Sequence, residues 1–192
     1  MTTENKVASS ATAITPAPDR STQIVDGALQ FANSAQLMDF CRFVASSDLV
    51  PRAHRGKPAN CLLIWLRARD CGVNFLVALQ NMMVVNERVC MFGDLPLALC
   101  MRSRDWDPAV FEETISGEGD EMTARCTVGR RGAKPVTRTF SVRDAKHAKL
   151  WGKEGPWSLY PERMMRMRAR GFALRDAFAD VLAGISIGEE VA

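Results

Sequence analysis

Histidine and tyrosine are scarce in this chain of 192 residues, and no two of its cysteines stand as a C-x-x-C pair. The spacing of a structural zinc site is therefore absent. Cys41, Cys61, Cys71, Cys90, Cys100 and Cys126 sit mostly among Leu, Phe, Val or Met, where a reduced thiol behaves as a small hydrophobe. They are expected to be buried and reduced. No apolar run approaches the roughly 18 residues of a membrane span. The opening MTTENKVASS has one Lys and no hydrophobic stretch of a secretory signal, so a cytoplasmic chain is expected.

Catalytic motifs are missing too. There is no G-x-x-x-x-G-K-[ST] loop to cradle nucleotide phosphates, so ATP hydrolysis is not expected. Neither His54 nor His147 stands in a recognisable nucleophile motif. Glu118, Asp120 and Glu121 cluster in GEGDE, which reads as a solvated turn rather than a metal site. The chain is not expected to be an enzyme or to need a cofactor; a Mg2+ dependence of its ligand binding is left open.

What the sequence does have is charge of one sign in one place. The net charge is only +3. Between Arg125 and Arg175, however, fourteen Lys or Arg face three acids, Asp144, Glu154 and Glu162, a formal +11. The other residues hold 11 basic and 19 acidic side chains, a formal −8. Such polarity suits a polyanion on the basic half. It also suits pairing of the basic half with the acidic one.

Hydrophobic residues make up 47% of the chain, enough for one core. Residues 1–30, rich in Thr, Ser, Ala and Pro, cannot bury enough surface to offset ordering and are expected to be mobile. Residues 31–192 then form one α+β domain. Asn33 or Ser34 caps a helix to about Ser47. Pro58 opens a second, ending at Gly72. NFLVALQ is a short helix, MMVV-NE-RVCMF a β-hairpin, and Asp94 caps DLPLALCMRSR. VFEETISGE, MTARCTVGR and PVTRTFSV form a small antiparallel meander, with Met122, Ala124, Cys126 and Val128 on one face of its middle strand. Ser141 caps VRDAKHAKLW. A long basic helix runs from about Pro161 to Leu182 and ends at Gly184.

That last helix carries most of the functional signal. At 100° per residue, Arg163, Arg166 and Arg170 fall on one ridge, and Arg168 and Arg175 on another. Two apolar strips, Met165–Ala169–Phe172 and Met167–Leu174, alternate with them. An ordinary amphipathic helix has one wet side. This pattern suits a helix gripped by its own core, a neighbouring subunit and an anion. Arginine's planar fork fits phosphate oxygens, and it fits carboxylates equally well. Further cations are Lys146 and Lys149, Lys153 in the following loop, Arg130, Arg131 and Lys134 in the second meander turn, and Arg138 in the third strand. Trp151, Trp157 and Tyr160 lie among them. Aromatics beside a basic groove stack bases, but tryptophan next to Gly-Pro more often anchors a loop in the core, so packing is the favoured reading of Trp157 and base stacking the alternative.

The run GPWSLYPERMMRMRARGFALRDAF, Gly155–Phe178, resembles the end of the core domain in phage single-strand annealing proteins of the RecT/Redβ superfamily. Its marks are a Gly-Pro-Trp loop, an aromatic-Pro step, a helix mixing basic and small residues, and a late Arg-x-Ala-Phe. GVNFLVALQNMMVVNERVCMFGD is similar to that family's helix–hairpin stretch, and the likeness, strongest to the RecT-like branch, covers about residues 35–187. It implies ATP-independent annealing of complementary strands in phage or prophage recombination, inside a bacterial host. It implies single-stranded DNA and an annealed duplex intermediate as partners, and rings or helical filaments of the chain. The matching positions for DNA contact are Arg168 and Arg175, with Arg163 and Arg166 close by. Glu162 stands where the family has a basic residue. The sequence in hand ends at Ala192, short of the region that in relatives contacts an exonuclease or the host single-strand binding protein. A self-assembling interaction module without DNA is the alternative reading.

Overall fold

The structure, a computed structural model, describes residues 23–25 and 28–191. Most of the stretch expected to be mobile lies outside these residues. Its end does not behave as expected: β1 (Gln23–Val25) and β2 (Ala28–Gln30) pair antiparallel as a short ribbon. Three-residue strands are too short for alternation to reveal them.

Helices α1 (Ser34–Ala45), α2 (Pro58–Asp70) and α3 (Phe75–Asn81) come next. The Asn33 side chain accepts from the Gln36 amide at 3.0 Å and the Asn74 side chain from the Leu76 amide at 2.9 Å, so two orphan amides of helix starts are satisfied. Strands β3 (Met82–Val85) and β4 (Arg88–Met91) form the expected hairpin. Asn86 and Glu87 both take positive φ, 48° and 64°, as a two-residue turn that follows strand twist requires. Helix α4 (Leu95–Arg102) follows, but the Asp94 side chain does not cap it.

Strands β5 (Trp106–Ser116), β6 (Thr123–Arg130) and β7 (Val136–Ser141) make the meander in the order β5-β6-β7. Ala124, Cys126 and Val128 are fully buried on one face, as alternation predicts. Ser141 then caps α5 (Val142–His147) with a reciprocal Ser141–Asp144 box. This helix stops short of Trp151, where Lys149 turns the chain with φ 56°. A single turn, α6 (Pro156–Leu159), leads into α7 (Pro161–Ala177).

Helix α7 lies across the inner face of the meander, mainly on β6 and β7. Ala169 and Ala173, one turn apart on α7, are completely buried, and these small side chains let the helix backbone approach the sheet. Met165 and Leu174 are completely buried, each worth about 1.5–3 kcal/mol relative to exposure. The helix ends five residues before the expected Leu182. Phe178 leaves helical geometry and packs against Trp106, ring centroids 5.5 Å apart. After Gly184, β8 (Ser186–Ile187) pairs parallel with β4, and α8 (Gly188–Val191) closes the described chain. The fold is α+β, with small sheets and a long C-terminal basic helix. No helix among the described residues is long and apolar enough to cross a membrane.

Candidate nucleic-acid interface

β6 and α7 run in the same direction, as two contacts fix: Arg170 meets Glu113, which faces Cys126 in mid-sheet, and Arg130 at the end of β6 meets Asp180 just past α7. The basic residues consequently gather at two ends of one helix–sheet layer. Arg130, Arg131, Lys134 and Arg175 lie toward one end. Lys146, Arg163 and Arg166 lie toward the other, which the chain joins through Lys149 and Lys153. Arg163 and Arg175 are about 18 Å apart along α7 at the helical rise. The expected cations do not form one uninterrupted strip.

Many of them already hold carboxylates. Arg170 donates to both oxygens of Glu113 at 2.7 and 2.8 Å and to Asp94 at 2.7 Å. The Arg170 and Glu113 side chains are only 15% and 16% exposed, so this is an almost buried fork joining helix to sheet. It also accounts for Asp94, whose carboxylate serves Arg170 rather than the start of α4. Arg130 donates to Asp180 at 2.6 and 2.8 Å and to Asp105 at 2.6 Å, above the Phe178 ring. That bonding holds the Asp180 carboxyl down at about 2 and pushes the Arg130 guanidinium up. Arg138 bonds Asp176 and Lys146 bonds Asp120, both at 2.6 Å and both at the surface. The Arg131 Nε donates to the Trp106 carbonyl at 3.1 Å.

Two of the candidate contacts are buried within this chain. Arg168 is 6% exposed, its guanidinium 5.9 Å from the Phe140 ring, so it packs under the sheet edge instead of reaching a phosphate. Trp157 is 7% exposed and lies against Phe140, ring centroids 6.2 Å apart. It anchors the Gly-Pro loop and offers no face to a base. For Arg130 and Arg170 the correction is that their forks are filled by the fold's own acids. Arg138 and Lys146 are filled too, but at the surface, where such pairs contribute little and a phosphate competes.

A different set is open. Among the described residues Lys134, Lys149, Lys153 and Arg166 have no carboxylate within salt-bridge distance and are exposed. Arg163 is 65% exposed, with Asp94 no nearer than 3.9 Å. Arg175, in the last turn of α7, is exposed too but is not without a partner, so it does not belong to this set. Arg163 and Arg166 flank an open cleft of about 510 Å³ at the start of α7, with the Arg170–Glu113 fork on its wall. Leu159 and Tyr160 form its lip and are 69% and 65% exposed. In the sequence Tyr160 stands with Trp151 and Trp157 among the cations, and only Trp157 is put forward there as a candidate contact. The available signal was position: Tyr160 separates a single helical turn from Pro161, a junction where neither helix can cover it.

The thiols are withdrawn from chemistry. Five of the six cysteines are buried and Cys71 is half-buried, all of them free. Burial pushes Cys41 up to about 11 and Cys100 and Cys126 up to about 12. No group of three or more His, Cys, Asp or Glu among the described residues could hold a metal ion.

Compared with protein-family models, with curated proteins and with solved structures, the chain matches none.

Proposed function

We propose that this chain binds single-stranded DNA without sequence preference and, as an oligomer, anneals complementary strands without ATP, as in phage or prophage recombination within the bacterial cytoplasm. The observation that carries the reading is the unanswered charge between Lys149 and Arg166. Lys149, Lys153, Arg163 and Arg166 stand exposed along one stretch of chain, and the last two line an open cleft. Among the described residues no acid closes on Lys149, Lys153 or Arg166, and Arg163 has only Asp94 at 3.9 Å, whereas Arg130, Arg138 and Arg170 are held at 2.6–2.7 Å. The resemblance of Gly155–Phe178 to the annealing proteins supports the same reading.

The mechanism uses binding alone. Cations on phosphates release counterions and tolerate any sequence. A strand held by its backbone keeps base edges free to test a second strand. Many weak contacts along an oligomer let mismatched strands leave before matched ones. No bond is made or broken, and a nuclease would need acids grouped around metal ions; Asp120 of the GEGDE turn is instead held by Lys146.

The direct test mixes two complementary dye-labelled strands with the protein in the absence of ATP. Accelerated pairing is expected; no acceleration by folded protein contradicts the proposal.

A second reading, a self-assembling interaction module, draws on the helical layer. Phe43, Leu49, Leu63, Leu66 and Leu76 are between 44% and 85% exposed. Where exposed apolar side chains are contiguous, they mark association between proteins. Particle size measured with and without an oligonucleotide separates the readings. Assembly unaffected by DNA, without DNA bound, favours the module.

A further inference from the structure

We propose that the cleft at the start of α7 is a subsite for one unpaired nucleotide, its base stacked on Tyr160 and its phosphate on Arg163 and Arg166. This deepens the DNA-binding reading and rests on it.

Tyr160 is fixed by its backbone and free at its ring. Its amide donates to the Pro156 carbonyl at 2.8 Å, and its carbonyl accepts from the Met164 amide at 3.1 Å. Pro161 on its C-terminal side disfavours a helical conformation at Tyr160, so the residue breaks the path between α6 and α7. The ring itself is largely exposed and makes no hydrogen bond or ring contact with a described residue. The other aromatics of this region are spent on packing: Trp157 and Phe172 both lie on Phe140. A rigid mount carrying an uncovered ring loses little freedom when a planar partner lands on it.

Charge and size select that partner. Arg163 and Arg166 are three residues apart on one helix face, so both forks reach a single anion. Two carboxylates border the cleft. Glu113 is occupied by Arg170, and the exposed Glu162 leaves the two guanidinium groups one positive charge in excess, which suits a single phosphate. A cavity of about 510 Å³ is sized for a small molecule, within the usual range of roughly 300–1,000 Å³, and not for a paired helix. A base inside a duplex has both faces covered by its neighbours. A base in a single strand unstacks at little cost. The subsite therefore gives the protein a preference for unpaired strands and weakens its hold where pairing is complete.

Tyr160 is the only tyrosine in the chain, so full-length protein containing a fluorinated tyrosine gives a single fluorine NMR line. Adding an oligothymidylate is expected to shift that line. An abasic strand of equal length and charge, bound through phosphates, is expected to leave it in place, and a blunt hairpin duplex to move it little. Tyr160→Ala is expected to weaken oligothymidylate binding about tenfold, while Tyr160→Phe keeps it. The proposal is overturned if oligothymidylate binds without moving the line, if the abasic strand moves it equally, or if Tyr160→Ala binds as the wild type does. DNA binding itself survives all three results. If no strand binds at all, both readings fall.

Discussion

Arg166 and Arg170 stand one turn apart on the same ridge of α7 and meet opposite circumstances. Arg170 is forked onto Glu113 and Asp94 at the seam between helix and sheet. Arg166 faces an open cleft, bordered by Glu113 and Glu162, and forms no ion pair with a described residue. The same contrast separates Arg130 and Arg138, held by Asp105, Asp180 and Asp176, from Lys149 and Lys153. Side chains of one type thus do two jobs. At the seam, arginine fastens a helix to a sheet; at the open end, it leaves positive potential for a ligand. The net charge of the basic half says nothing about how it is divided between them.

The largest expected effect lies at the seam. Arg170→Ala leaves Glu113 partly buried without its partner and should lower stability by about 3 kcal/mol, the low end for breaking a buried pair. Urea unfolding measures it, and a loss within experimental error would move Arg170 to the ligand side of the comparison. Next comes the open end. Arg163→Ala with Arg166→Ala should reduce oligonucleotide affinity by about 2 kcal/mol or more, roughly 30-fold, and slow annealing in step. Stability should change by no more than about 0.5 kcal/mol, because neither side chain is buried. Normal annealing by a folded double variant would break the assignment.

A smaller effect comes from acid. Asp180 sits at about 2, below its ordinary value of 3.8, because Arg130 bonds its charged form. Its contribution is therefore complete above about pH 4 and is lost as pH falls through about 2. Asp180→Asn should flatten the acid limb of the stability curve in that window; an unchanged limb would show that the Arg130 pair does not matter to the fold. The smallest effect concerns thiols. With Cys41, Cys100 and Cys126 buried and their ionisation pushed to about 11 or 12, a thiol reagent at neutral pH should label the folded protein slowly and reach Cys71 first. Early labelling of Cys126 would mean the seam opens readily.

Local physics made much of the fold readable in advance. Caps at Asn33 and Ser141, the turn at Asn86–Glu87 and the inward face of β6 all depend on neighbours a few residues away. What escaped depends on distant partners. Strand β8 has two residues and exists because β4 offers an edge 96 residues earlier in register, at Cys90 opposite Ser186. The end of α7 is set by Phe178 finding Trp106. For the candidate site the same division holds. The basic helix and its loop are legible as a cluster of cations, some of which pair with acids, but which cations pair, and with which acids, is not. Glu113, 57 residues from Arg170, could have been suspected, since Phe111, Glu113 and Ile115 alternate onto one face of β5 and an acid there demands a buried cation. That Trp157 packs while Tyr160 stays open follows from which ring the Gly-Pro loop sets against Phe140, a tertiary choice.

The most direct test of the division between seam and open end is the salt dependence of oligonucleotide affinity. The logarithm of affinity should fall steeply with the logarithm of salt for the wild-type protein, and the slope should lessen by about two for Arg163→Ala with Arg166→Ala. Arg130→Gln, at the seam, should keep the wild-type slope. A wild-type slope near zero, or an equal drop from the seam variant, would contradict the account.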